Sequence, residues 1–299
     1  MFGKLFLVIL CVFVSEATKA QLGSGSNSSK LYLTDGMFDS TISNFAKANG
    51  VGLVHLIGQA DIDPHNDMVL DVGLLKKKIL SVFPDSISSG IAVLDWEGKA
   101  ANVLRTQNSS KHFEQVMDEF IKTIRFAKAL RPHVQWGFFG LPFGDFFYMN
   151  ANWINRNQKL SPILSQCDII FPAVYISYSD DQVGANSNLT FINKNVTLAL
   201  EIGDEIQRPV MPFIWHRFKN FQQIPANTFY NYVRSILSVT YKGRGIDGLV
   251  WWGVPFYFYR TKMLPFSKQP SYSVFSNQHD TFVMKSCQSF LNDIHARSK

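Results

Sequence analysis

The chain has 299 residues, 46% of them hydrophobic and 17% charged, with a formal charge of +6. That length and apolar content suffice for one domain that folds on its own core, without a disulfide scaffold. No Lys/Arg cluster suggests nucleic acid as a partner, and the mildly positive balance suits acidic polysaccharides.

Residues 1–20, MFGKLFLVILCVFVSEATKA, carry a lysine, an apolar run from Leu5 to Val14 and small residues at Ala17 and Ala20. This is the pattern of a secretory signal peptide. The run is shorter than the roughly 20 residues of a bilayer span. No later segment qualifies, so no membrane partner is expected. Residues 21–30 contain GSGSNSS, a flexible lead-in, and 31–299 are expected to form a single catalytic domain. Asn27, Asn108, Asn188 and Asn195 open N-x-S/T sequons, which in an exported chain predict glycosylated surface loops. Without the leader two cysteines remain, Cys167 and Cys287. In an oxidising compartment they either pair as one disulfide or stay as separate buried thiols.

From residue 31 onward, strand-like and helix-like segments alternate. Strands are expected at 31–34, 51–57, 91–95, 134–139, 169–175, 210–215 and 248–252. Most are continuous apolar runs, as in parallel strands buried on both faces. Helical periodicity is clearest after Ser110, where Phe113, Val116, Phe120, Ile124 and Ala127 recur at three- and four-residue steps and Pro132 follows the end. Weaker helical patterns cover 38–48, 74–82, 196–206, 227–238 and 282–295. Together these predict an α/β fold, a distorted (β/α) barrel with about seven parallel strands. An open doubly wound sheet lacks its usual cue, since no glycine-rich phosphate loop follows the first strand.

The third strand ends in GIAVLDWEGK, residues 90–99. Strand alternation sets Asp95 and Glu97 side by side and turns Trp96 to the other face. Like charges held that close raise one pKa. Barrel chemistry sits at the C-terminal ends of strands. There the fifth strand brings Tyr175, the sixth Trp215 and His216, and the last Trp252. Sugar rings pack C–H faces on aromatic rings, so a carboxylate pair walled by Trp and Tyr reads as a carbohydrate site. Trp251 faces the other way and reads as core, as do Phe138 and Phe139, and His55 reads as core or barrel lining. The polar stretch from Asp61 to Asp67 lacks the Gly and Glu of a calcium loop and reads as an ordinary loop. No H-E-x-x-H, C-x-x-C or G-x-S-x-G motif is present, so neither a metal nor a serine nucleophile is expected.

In order and spacing, GIAVLDWE, AKALRPHVQWGFFGLPFGDFF, FPAVYI, VMPFIWHRF and GIDGLVWWG resemble the hyaluronidase family of glycoside hydrolases, especially its animal and venom members, from about Val72 to Trp252. The resemblance implies an endo-acting, retaining hydrolase of β-linked N-acetylhexosaminides in hyaluronan or chondroitin. In such enzymes the substrate's acetamido oxygen, not a carboxylate, attacks the anomeric carbon. Carried over residue by residue, Glu97 is the acid/base. Asp95 orients the acetamido N–H and helps raise the pKa of Glu97, Tyr175 stabilises the ring-closed intermediate, and Trp252 walls the acetamido methyl. Trp215, Tyr148 and Asp145 complete the expected substrate-binding set. A cofactor-free monomer acting on a glycosaminoglycan, secreted or lysosomal, is expected. The chain departs from the family at Gly98 and Lys99, where a tryptophan and an arginine are usual, and at 144–147, where a cysteine and a tyrosine are usual. Cys287 matches a helix cysteine whose usual partner position holds no cysteine here. These departures frame two alternatives, a non-catalytic glycan-binding relative and a hydrolase of another N-acetylhexosamine polymer.

Overall fold

The computed structural model describes residues 30–106, 110–260 and 270–297. The expected leader at 1–20, the lead-in up to residue 29, and the sequons at Asn27 and Asn108 lie outside the described residues.

Six parallel strands form one sheet: β1 (Lys30–Thr34), β2 (Gly52–Gly58), β3 (Gly90–Asp95), β4 (Val134–Phe138), β5 (Phe213–Ile214) and β6 (Gly248–Trp251). Their order is β4-β3-β2-β1-β6-β5. The strand expected at 169–175 is present only as single bridges, Phe139 with Phe171 on one side, Ile170 with Val210 and Ala173 with Phe213 on the other. These join the two edges of the sheet, so the segment acts as the seventh stave of a distorted barrel. Pro172 supplies no N–H to a ladder, and the segment also runs very close to β4. A Cβ at Gly137 would lie 2.2 Å from the Ile169 carbonyl oxygen, so only glycine fits at that crossing.

The strands have two apolar faces. Val54, Ile91, Val93, Phe171, Phe213 and Val250 pack together inside the ring. Leu33, Leu94, Trp136 and Trp251 belong to the larger layer beneath the helices. On β3, Ile91 and Val93 point inward, and Asp95 inherits that face at the C-terminal mouth.

The helix Lys111–Leu130 starts where the Ser110 hydroxyl accepts the Phe113 N–H at 3.1 Å, and its periodic apolar residues are buried. Arg131 follows it, buried, and donates to the carbonyls of Phe83 (2.6 Å) and Pro84 (2.9 Å). That pins the segment leading into β3. The helices Ser40–Asn49, Val72–Val82 and Ala226–Ser238 lie near their expected places, and Tyr272–Arg297 is longer than expected.

The helix Ala185–Glu205 begins well before the expected start at 196, and it corrects two sequons. Asn188 and Asn195 are buried in it. The Asn188 amide donates to the Tyr178 carbonyl (3.1 Å) and to Asp180 Oδ1 (2.7 Å), and the Asn195 amide to the Phe191 carbonyl (2.7 Å). A glycan needs that nitrogen at the surface, so neither is a surface acceptor in the folded chain. The candidate disulfide is corrected as well. Cys167 and Cys287 are free thiols, each buried. Burial pushes Cys167 up to about 12 and raises Cys287 further.

Candidate active site

Asp95 is the last residue of β3 and is half-buried, while Glu97 stands exposed at the mouth. Trp96 between them is buried against the helix layer, stacked on Phe120 with ring centres 4.7 Å apart, and its indole N–H donates to Asp63 Oδ2 at 3.2 Å. Asp63 is itself buried and accepts the backbone N–H groups of Asp67 and Met68, each at 3.0 Å. From the same loop, Asn66 Oδ1 accepts the N–H of Lys99 at 2.8 Å. Asp61 and Ile62 close the short helix Gln59–Ile62, and the polar loop after it, through Asp67, grips the chain on both sides of Glu97.

The other strand ends bring aromatic rings to the same mouth. Tyr175 stacks on Trp215 at 5.1 Å, and Trp215 lies 5.6 Å from Trp252. Phe139 and Phe213 meet edge-to-face at 5.0 Å beneath them. Leu56 from β2, Phe221 from a loop and Tyr257 from the helix Pro255–Arg260 complete the wall. With the two acids these residues enclose a cavity of about 160 Å³.

The polar atoms inside it are sparsely satisfied. Asp95 Oδ1 and Trp215 Nε1 are buried and have no hydrogen-bond partner among the described residues. Burial, and then the Glu97 charge, push the Asp95 carboxyl up to about 7. Strand alternation expects one raised pKa, and the family resemblance assigns it to Glu97; in the fold it is Asp95, the residue nearer the barrel interior, that burial lifts. Tyr175 is also raised, well above the usual phenol range, by burial and then by the charges of Asp95 and Glu97. Its hydroxyl is a neutral donor at physiological pH.

Five expected site residues thus meet in one cavity: Asp95, Glu97, Tyr175, Trp215 and Trp252. Asp145 and Tyr148 are not among the residues that line this cavity. Asp145 Oδ1 accepts the N–H groups of Phe147 (3.0 Å) and Tyr148 (2.8 Å), forming a turn that leaves Tyr148 68% exposed. His216 is also outside the cavity, buried in the helix layer, where its Nδ1 accepts the Trp251 indole N–H at 3.1 Å. Motif reading passes over Arg105, whose guanidinium lies 4.6 Å over the Phe143 ring and interacts electrostatically with both Glu97 and Asp145. It also misses Phe139, which alternation from the buried Phe138 would have turned inward, and Phe221 and Tyr257, which no strand periodicity announces.

A family profile described as "Hyaluronidase" matches residues 99–262, more than half of the chain. The chain belongs to the hyaluronidase family. The matched stretch holds Tyr175, Trp215 and Trp252 and begins two residues after Glu97. Hyaluronidase-1 of Sus scrofa is 25% identical over 197 residues, covering 50% of this chain and 45% of that protein. Inactive hyaluronidase B of Vespula vulgaris is 22% identical over 166 residues, with the same coverage. The match therefore spans less than half the length of these hyaluronidase relatives. The crystal structure of bee venom hyaluronidase superposes with a TM-score of 0.67 at 14% identity, covering 88% of this chain and 99% of that one. The same venom protein in complex with a hyaluronic acid tetramer gives a TM-score of 0.61 at 15% identity, covering 87% of this chain and 99% of that one. The shared fold is the distorted α/β barrel.

Proposed function

We propose that this hyaluronidase-family chain is a secreted endo-glycosidase. It cleaves β-N-acetylhexosaminide linkages of hyaluronan or chondroitin with retention, and the substrate's own acetamido oxygen is the nucleophile. The observation that carries this is the buried, unpartnered Asp95 Oδ1 set beside Glu97 and Tyr175 in an aromatic cavity. Asp95 accepts the acetamido N–H there, which turns the amide oxygen toward the anomeric carbon. Glu97, at the open mouth, gives its proton to the glycosidic oxygen as the bond to the anomeric carbon breaks. It then takes a proton from the water that opens the cyclic intermediate. Tyr175 donates to the acetamido group, and Trp252 and Trp215 supply rings for sugar C–H faces. Arg105 gives the acidic neighbouring sugar a cation on the outer side of Glu97. The leader-like pattern of residues 1–20 and the venom origin of the structural relative support export, and the relative's complex with a hyaluronic acid tetramer supports the polymer class.

The test is a reducing-end assay on hyaluronan and chondroitin. Glu97→Gln is expected to lower turnover by about 10²–10⁴ while oligosaccharide binding persists. Wild-type turnover in that variant would refute the acid role. A second reading, a glycan-binding protein without catalysis, draws on the exclusion of Asp145 and Tyr148 from the cavity and on the Vespula relative whose name marks it inactive. It predicts binding without product from the unaltered chain.

A further inference from the structure

The cavity has two unlike ends. At one lie Asp95, Glu97 and Tyr175. Ring contacts then lead away from them, from Tyr175 to Trp215 (5.1 Å), to Phe221 (5.8 Å), to Tyr257 (6.0 Å) and back to Trp252 (5.8 Å). The far wall is therefore aromatic, and Phe221 closes it.

Phe221 stands there at a backbone φ of 65°, in the left-handed region that bulky residues rarely enter. Its surroundings hold it. Its N–H donates to the Phe218 carbonyl (2.8 Å) and its carbonyl accepts Arg217 Nη1 (2.9 Å). Phe218 and Gln222 close the same small hairpin at 2.9 Å. Arg217 is buried, with its guanidinium 4.5 Å over the Phe258 ring. A strained residue kept in place by this many contacts, at the wall of a ligand cavity, points to a role toward the ligand.

We propose that Phe221 is a specificity-determining residue that restricts the cavity to uncharged N-acetylhexosamines, so that unsulfated N-acetylhexosaminides are taken in preference to sulfated ones. The proposal rests on the carbohydrate-cleaving reading above and names its substrate class more narrowly. A sulfate ester lodged at the far wall would lose water against the rings of Phe221, Trp215 and Tyr257, whose faces carry negative quadrupole potential. At the near end it would meet two carboxylates. Among the described residues the lining offers those two acids and no cation. Burying a charge without a partner is costly in either place. The carboxylate of a neighbouring uronate is treated differently, because Arg105 sits outside the cavity near Glu97 and Asp145.

Calorimetric binding of tetrasaccharides from hyaluronan, unsulfated chondroitin, and 4- and 6-sulfated chondroitin to the Glu97→Gln chain tests this, with wild-type turnover of the parent polymers measured separately. Sulfated chains are expected to bind at least about tenfold more weakly than unsulfated ones. Phe221→Asn keeps a side chain that tolerates the left-handed turn and should shrink that gap to about threefold or less. Phe221→Lys should shrink it further. Equal binding of sulfated and unsulfated chains would overturn the proposal, as would an unchanged ratio in a folded Phe221→Asn chain. Should that chain not fold, Phe221→Gly carries the same comparison. A chain that discriminates but yields no product from hyaluronan leaves the specificity standing and removes the hydrolase. Binding of none of the four tetrasaccharides overturns both.

Discussion

Asp95 is the residue at which the fold and the chemistry conflict. Burial and the Glu97 charge lift its carboxyl from the ordinary 3.8 to about 7. A group that holds its proton more tightly folded than unfolded stabilises the native state at acid pH, and that contribution is lost as pH rises through the folded value. Asp95→Asn removes the titration. The variant should match the wild type in unfolding free energy near pH 4 and exceed it by on the order of 1–3 kcal/mol near pH 8. Thermal unfolding followed by circular dichroism across that range measures the gap. A difference that does not change with pH would mean that Asp95 is not held up by its surroundings. The same substitution should reduce turnover, because the carboxylate that orients the acetamide would be gone.

At the scale of the element, Glu97 depends on the loop that follows β2. That loop secures Trp96 through Asp63 and Lys99 through Asn66, and Gly98 lies between these two anchors. Gly98 has a φ of 64°, and a Cβ on it would meet Asn66 Oδ1 at 2.3 Å. Gly98→Ala should therefore cost on the order of 1–3 kcal/mol in urea unfolding and lower kcat more than binding, since Glu97 moves with the turn. Asn66→Gly in the same chain should recover part of the loss, and a strictly additive pair would break the proposed contact. The parts of the site visible to sequence reading were those at or just past strand ends. Period-two alternation sets Asp95 and Glu97 side by side, and the ends of the apolar runs bring Tyr175, Trp215 and Trp252 to the same mouth. Tyr148 and Asp145 escaped because a side-chain-capped turn, not a period, sets their direction. The helix Ala185–Glu205 was half hidden for a related reason. Its first turns hold several Asn, Ser and Thr residues, whose weak helix propensity and sequon spacing read as a surface loop, while tertiary burial of Asn188 and Asn195 overrides both.

For the molecule as a whole, the barrel buries titratable groups with opposite demands on pH. His216 lies in the layer between the barrel and the helix Tyr272–Arg297, faced by Trp251, His279, Arg217 and the rings of Phe229, Phe258 and Phe282. Burial, then His279 and Arg217, depress its pKa well below the usual 6.5. A histidine kept neutral in the fold contributes its stability above the unfolded value, and that stability falls as pH drops below it. Asp95 acts in the reverse sense between about pH 4 and pH 7, so over the interval the two share, their slopes oppose. The wild type should accordingly show a shallower pH response of its midpoint temperature over that interval than either single variant. Each single variant should uncover the slope that the other group had balanced. Asp95→Asn should lose stability on acidification. His216→Gln, which can still accept the Trp251 indole N–H, should lose it as pH rises toward neutrality. Because the two groups sit in different layers, the double variant should lose both responses, at a changed height. Single variants whose midpoints both run parallel to the wild type across this range would show that neither group carries the pH response assigned to it.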